Sequence, residues 1–129
     1  MKIEITNDSQ VREATHQAGT MTKKVGLPEA DQAKVQIAVS ELANNILQHA
    51  RGKGSITIDA ITERGRVGII VIAEDMGPGI ADIDLALHEP NSATGLGIGL
   101  GAVERLMSEF KIEPVNAHGI RVTAVKWKN

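Results

Sequence analysis

Cysteine is absent from this chain of 129 residues, which excludes disulfides, thiol catalysis and cysteine–zinc sites. Aromatic side chains are almost missing. Phe110 and Trp127 are the only two, too few for a protein that grips nucleic acid by stacking on its bases. Neither sign of charge dominates, and a formal net charge of −2 gives no electrostatic case for binding nucleic acid or a membrane surface. No apolar run reaches the length of a membrane span, and the N-terminus has no signal-peptide pattern. A cytoplasmic location is therefore the expectation. What is present is ordinary: 42% hydrophobic and 23% charged residues make a soluble globular composition. The length suits one domain, residues 1–129, with a real core.

The order of local patterns suggests β-α-α-β-β-α-β-β. Lys2 to Thr6 alternates like a short strand. Asn7, Asp8 and Ser9 offer N-caps for a helix from about Gln10 to Lys24, which Gly26 ends. A second helix runs from about Glu29 to Ala50, with Val35, Ala38, Val39, Leu42, Ala43, Ile46 and Leu47 as an apolar stripe at helical spacing. Ser55–Glu63 and Arg66–Glu74 read as a hairpin turning at Gly65. Val67 to Ala73 is apolar on both faces, which suits a central strand. Asp82 to Leu87 suits a helical turn, and His88 to Thr94 a loop. Ile98 to Phe110 reads as a third helix, followed by strands near Lys111–Asn116 and Ile120–Trp127 that turn at His118-Gly119. The fold class expected is α/β in the broad sense: an α+β two-layer sandwich with a mixed sheet and helices on one face.

Three segments carry candidate chemistry. On the second helix Glu41, Asn45 and His49 recur every four residues and share a face. His49, near the helix end, reads as a cap or dipole partner rather than a base. After the central strand comes Glu74-Asp75-Met76-Gly77-Pro78-Gly79-Ile80. An acid there can only accept hydrogen bonds, and the glycines let a flat ligand approach the backbone. Last is Gly95-Leu96-Gly97-Ile98-Gly99-Leu100-Gly101, a glycine-rich helix start that can bind phosphate through its N–H groups. Gly97 to Ala102 matches the dinucleotide pattern only formally, for no strand precedes it and no acid lies about 20 residues on to hold a ribose. A P-loop is excluded because Leu47 stands where its first glycine is required, and the eukaryotic kinase signatures are missing.

An acid and an Asn four apart, then Asp-x-Gly-x-Gly, then Gly-x-Gly-x-Gly, is an order that resembles the GHKL superfamily of gyrase, histidine-kinase and MutL ATPases, with its Bergerat-type ATP-binding fold. Glu41 to Asn45 looks like the N box, Asp75 to Gly79 like the first glycine box, and Gly95 to Gly99 like the second. The whole chain is similar to small bacterial serine kinases that act as switch proteins and anti-sigma factors. Ser40-Glu41-Leu42-Ala43-Asn44-Asn45, Ala73 to Ile80 and Arg105 to Phe110 look most like the stressosome switch kinases of the RsbT type.

The resemblance implies an ATP-dependent protein serine/threonine kinase with ATP and Mg²⁺ as cofactors. Asp75 would accept the exocyclic amine of adenine, where guanine would present a second acceptor. Gly77, Gly79 and Ile80 would line the ring. Asn45 would ligate the metal through its amide oxygen. Gly95, Gly97, Gly99 and Leu100 would contribute to the phosphate cradle, formed by N–H groups from about Gly97 to Gly101 under a lid carrying Ser92 and Thr94. Glu41 matches the general base. The implied partners are STAS-domain scaffold or antagonist proteins and a PP2C-type phosphatase as output. The alternative is a slow or non-turnover nucleotide-binding module that sequesters a sigma factor or an output enzyme. The chain departs from many relatives in having Ile120 where they place a Thr against adenine, and Gln48 where histidine kinases have Lys. No Arg or Lys lies between Gly77 and Gly101, so a cation for the γ-phosphate would come from elsewhere, Arg51 and Lys53 being candidates.

Overall fold

The computed structural model describes residues 1–50, 53–76, 96–115 and 119–129, the side chains of 96–98 excepted. Chain order is β1 (Lys2–Glu4), α1 (Asp8–Lys24), α2 (Glu29–His49), β2 (Gly54–Glu63), β3 (Arg66–Asp75), α3 (Leu96–Leu106), β4 (Glu109–Pro114) and β5 (Ile120–Trp127). The α/β class is as the sequence suggests. The expected helical turn at 82–87, the loop at 88–94 and the turn at His118 lie outside the described residues.

Local chemistry sets the helix ends. Asn7 caps α1 in a capping box: its side chain accepts the Ser9 N–H, and the Gln10 side chain accepts the Asn7 N–H at 2.9 Å. At the other end Gly26 has φ +85°. Gly26 N–H donates to Lys23 O at 3.1 Å and Leu27 N–H to Thr22 O at 3.0 Å, a Schellman stop that favours glycine. The α2 stripe is buried as its spacing requires, with Val35, Ala38, Val39 and Ala43 fully inaccessible.

The sheet runs β1-β2-β3-β5-β4, so β3 is central. Its partners on both sides explain the apolar run through Val71. Ile56, Ile58, Ile69, Val71, Val122 and Ala124 point from alternate positions into one core with α1 and α2, while Ile70 and Ile72 stay half-buried on the other face. Each buried Ile or Val among them contributes about 1.5–3 kcal/mol. The β2–β3 turn is Arg64-Gly65, both at positive φ, 53° and 79°, a two-residue type I′ geometry matched to strand twist.

Two expectations need correction. The sheet is not mixed: among the described residues every pairing is antiparallel. Two helices separate β1 from β2, so β2 returns against β1. β3 and β4 run parallel to each other, but β5 lies between them and pairs antiparallel with both. The third helix also ends earlier than its apolar spacing suggests. It stops at Leu106, and Glu109 and Phe110 belong to β4, opposite Val125 and Ala124. Ser108 N–H already donates to Val125 O at 2.8 Å. The ladder with β5 outcompetes a further helical turn.

Candidate active site

Helix α2 packs against α3, and the contact falls on the residues of interest. A Cβ built on Gly99 would lie 3.2 Å from Glu41 Oε2, 3.3 Å from Asn45 Nδ2 and 3.4 Å from Asn45 Oδ1. The missing side chain therefore lets the start of α3 approach the Glu41–Asn45 face directly. In the first turn of α3 the N–H groups of Leu96, Gly97 and Ile98 have no intrahelical partner, and they stand at the positive end of the helix dipole. Those of Leu100 and Gly101 are inside the helical ladder. The Leu100 side chain is 1% exposed and packs in the core, so any contact it makes with a ligand is through backbone.

Asp75 closes β3. Its Oδ1 accepts the Ile120 N–H at 3.3 Å. Gly119 sits against it at φ +87°, where a Cβ would collide with the Asp75 carbonyl. The sequence marked Gly119 only as a turn; its second role, making room for the acid, has no local signature. On the other side a Cβ on Gly54 would lie 2.9 Å from Ile46 Cγ2 and 3.1 Å from Asp75 Cα. The residue after Asn45 and the backbone of Asp75 thus crowd the same glycine. Lys53 joins them, its N–H donating to Ala50 O at 3.0 Å and its carbonyl accepting the Met76 N–H at 2.8 Å.

The structure thus brings Glu41, Asn45 and Gly99 into contact, and seats Asp75 at the end of β3 that meets the last turn of α2. Gly77, Gly79, Ile80, Gly95, Ser92 and Thr94 lie outside the described residues. His49, expected as a cap or dipole partner, is the basic residue of the last turn of α2, and its Nε2 is buried with no hydrogen-bond partner. Ile120 packs in the core and meets Asp75 through its backbone N–H. Thr123, odd-numbered beside it, falls on the other face of β5.

Residues 5–126 match the family model of the histidine kinase-like ATPase domain. The chain belongs to that family. It is 44% identical over 116 residues to the serine/threonine-protein kinase RsbT of Bacillus subtilis (strain 168), a match spanning 88% of this chain and 86% of that protein. Among solved structures it resembles the catalytic domain of the histidine kinase ThkA, in a nucleotide-free form, with TM-score 0.57 and 18% identity over 99% of this chain and 95% of that one. It also resembles full-length ShkA in complex with AMPPNP, with TM-score 0.58 and 20% identity over 90% of this chain but 28% of that one. These two likenesses establish the fold. By family, this chain is an ATP-dependent kinase of the GHKL type.

The residues suit Mg²⁺ on a simple test. Among the described residues no group of three or more His, Asp or Glu side chains stands together as a metal site. Mg²⁺ does not need one, since it keeps several waters and takes phosphate oxygens. Asn45 is half-buried and its Nδ2 has no partner. A half-turn of the amide puts an oxygen in that place, so the side chain has an uncommitted ligand to offer. No helix among the described residues is long and apolar enough to cross a membrane.

Proposed function

We propose that the chain is a protein serine/threonine kinase that transfers the γ-phosphoryl group of ATP to a hydroxyl of a STAS-domain partner. Phosphorylation then switches the kinase from that partner to an output protein of the PP2C-phosphatase kind, in a stressosome-like stress response. ATP as donor makes the cytoplasm the compartment of the reaction. The observation that carries this reading is the placement of Glu41 and Asn45 within 3.4 Å of the Cβ position of Gly99. An acid and a metal-binding amide beside a helix start are what phosphoryl transfer asks of so small a protein, because it depends on placement and charge neutralisation.

Asp75 accepts the adenine amine and so selects adenine over guanine. Gly77, Gly79 and Ile80 line the ring, and Gly95, Gly97 and Gly99 bring backbone N–H groups to the phosphates. Asn45 holds the metal, which when bound neutralises phosphate charge and leaves the γ-phosphorus open to attack. Glu41 takes the proton of the incoming hydroxyl. The new bond forms between that oxygen and the γ-phosphorus, the bond to the β-phosphate oxygen breaks, and ADP leaves.

Incubation with radiolabelled ATP and a STAS-domain protein tests the reading. The parent labels the partner on Ser or Thr. Glu41→Gln retains Mg-ATP binding and loses transfer at least a hundredfold, the usual scale for a general base. Transfer at the parental rate by Glu41→Gln removes Glu41 from this role. Labelling of no partner by a protein that still binds Mg-ATP refutes the kinase reading while leaving the nucleotide site intact.

A further inference from the structure

Helix α2 turns its large aliphatic side chains inward. Val35, Val39, Leu42 and Ile46 are buried, and Leu47 packs against the core. Ile37 is the exception. It is 49% exposed, and the other exposed large hydrophobics among the described residues are Met1 and Met76. Met1 opens the chain and Met76 follows Asp75, whereas Ile37 sits in mid-helix. A β-branched residue there gains little from packing and loses side-chain freedom against the preceding turn. Lone isoleucines do occur on surfaces; the position of this one is what matters. It stands four residues before Glu41, about 6 Å along the axis on the same face. Helical side chains lean toward the N-terminus, so the Glu41 side chain leans over the turn that carries Ile37.

We infer that Ile37 is a docking anchor for the acceptor protein, seated against an apolar patch that lies about one helical turn from the acceptor hydroxyl. The inference rests on the kinase reading and deepens it, assigning a residue that touches the protein substrate and not the nucleotide. The hydroxyl must come within roughly 2.6–3.2 Å of the Glu41 carboxylate. Gly99 already closes one flank of that carboxylate. A folded domain that delivers the hydroxyl is far wider than the roughly 6 Å from one turn to the next, so it also covers the solvent side of the turn before Glu41. The docking surface is thus continuous with the place of reaction. Around Ile37 the helix presents Ala33 and Lys34 one turn before and Ser40 one turn after, small or flexible side chains that let a partner settle onto the isoleucine. Apolar burial at the centre of a polar surround is the usual form of an interface anchor.

The test is calorimetric binding of a STAS-domain acceptor protein to the parent, Ile37→Ala and Ile37→Leu. Phosphorylation rates over a range of acceptor concentrations, Mg-ATP titration and thermal unfolding accompany it. Ile37→Ala weakens acceptor binding and raises the KM for the acceptor by about tenfold, the scale of one truncated anchor. Its kcat at saturating acceptor and its Mg-ATP affinity stay at the parental values. Ile37→Leu recovers part of the loss. The melting temperature of Ile37→Ala does not fall, because Ala is the better helix former at a position half open to solvent. Parental acceptor binding and KM in Ile37→Ala overturn the inference while the kinase reading stands. So does a fall in kcat at unchanged KM, which would make Ile37 a support for Glu41, or a loss of Mg-ATP affinity. A parent that binds the acceptor through Ile37 but never labels it refutes the kinase reading and upholds the docking site. A parent that neither binds nor labels the acceptor takes down both.

Discussion

The Asp75 carboxylate accepts the backbone N–H of Ile120 at 3.3 Å, across the β3–β5 pair and 45 residues along the chain. The acid that would read adenine is thereby also the latch between the central strand and the start of the last one.

The two roles separate by substitution. Asp75→Asn keeps an oxygen for Ile120 but offers an NH₂ group where the adenine amine must be accepted. Mg-ATP affinity falls by about tenfold or more, the scale of replacing an acceptor by a donor at one contact, while the melting temperature changes little. Asp75→Ala loses both roles and destabilises by about 1 kcal/mol as well. Calorimetry with Mg-ATP and thermal melts of the two variants check this. Equal stability of Asn and Ala variants would mean that the latch contributes nothing.

Gly99→Ala sets stability against activity. Gly99 lies within α3, where Ala is favoured over Gly by about 0.5–1 kcal/mol. Its methyl group, however, meets Glu41 Oε2 at 3.2 Å and Asn45 Nδ2 at 3.3 Å, closer than carbon ordinarily sits to such atoms. Glu41 and Asn45 must shift by a few tenths of an ångström. The variant melts no lower than the parent yet transfers phosphate at least about tenfold more slowly, since misplacement of this order weakens positioning. Parental turnover in Gly99→Ala would show that the close approach has no functional weight.

Two glycines at positive φ make a matched pair. Gly65 has open space around its Cβ position, whereas Gly119 has Asp75 against it. Gly65→Ala costs about 1–2 kcal/mol for the left-handed backbone and leaves nucleotide binding at the parental level. Gly119→Ala carries the same backbone cost plus a collision with the Asp75 carbonyl, so it destabilises more and weakens Mg-ATP binding. Denaturant unfolding and calorimetry on the pair separate the strain from the site.

Much of this was legible from residue pattern because it is locally encoded. The α2 stripe, the central position of the Val67–Ala73 strand, the Asn7 cap and the Gly26 stop each depend on spacing or on one residue's conformational preference. The early end of α3 is not encoded that way. Phe110 continues a helical apolar spacing, and only the need of β5 for a second partner draws 109–114 into a strand. Antiparallel pairing throughout likewise depends on β5 inserting between β3 and β4, a topological event that no single segment announces. Within the site, Glu41 and Asn45 were visible as a polar face on an apolar helix. Their contact with Gly99, more than fifty residues later, is a tertiary fact, as are the Asp75–Ile120 latch and the unpartnered nitrogen of His49.

Lys126 ties down the far end of α3. Its Nζ donates to Leu106 O at 2.8 Å and stands 3.9 Å from Asp31 Oδ1, with 13% of its side chain exposed. The ammonium thus satisfies a carbonyl left open at the helix C-terminus, where a positive charge is also favoured by the dipole. Lys126→Met keeps most of the buried stem and removes the charge. The orphaned carbonyl and the lost dipole contact destabilise the protein by about 1 kcal/mol. Because Gly99 lies at the other end of α3, Mg-ATP affinity measured well below the melting temperature stays at the parental value. A loss of affinity in Lys126→Met without a matching loss of stability would show that the anchoring of α3 to Lys126 sets the position of its first turn, and that the two ends of the helix move together.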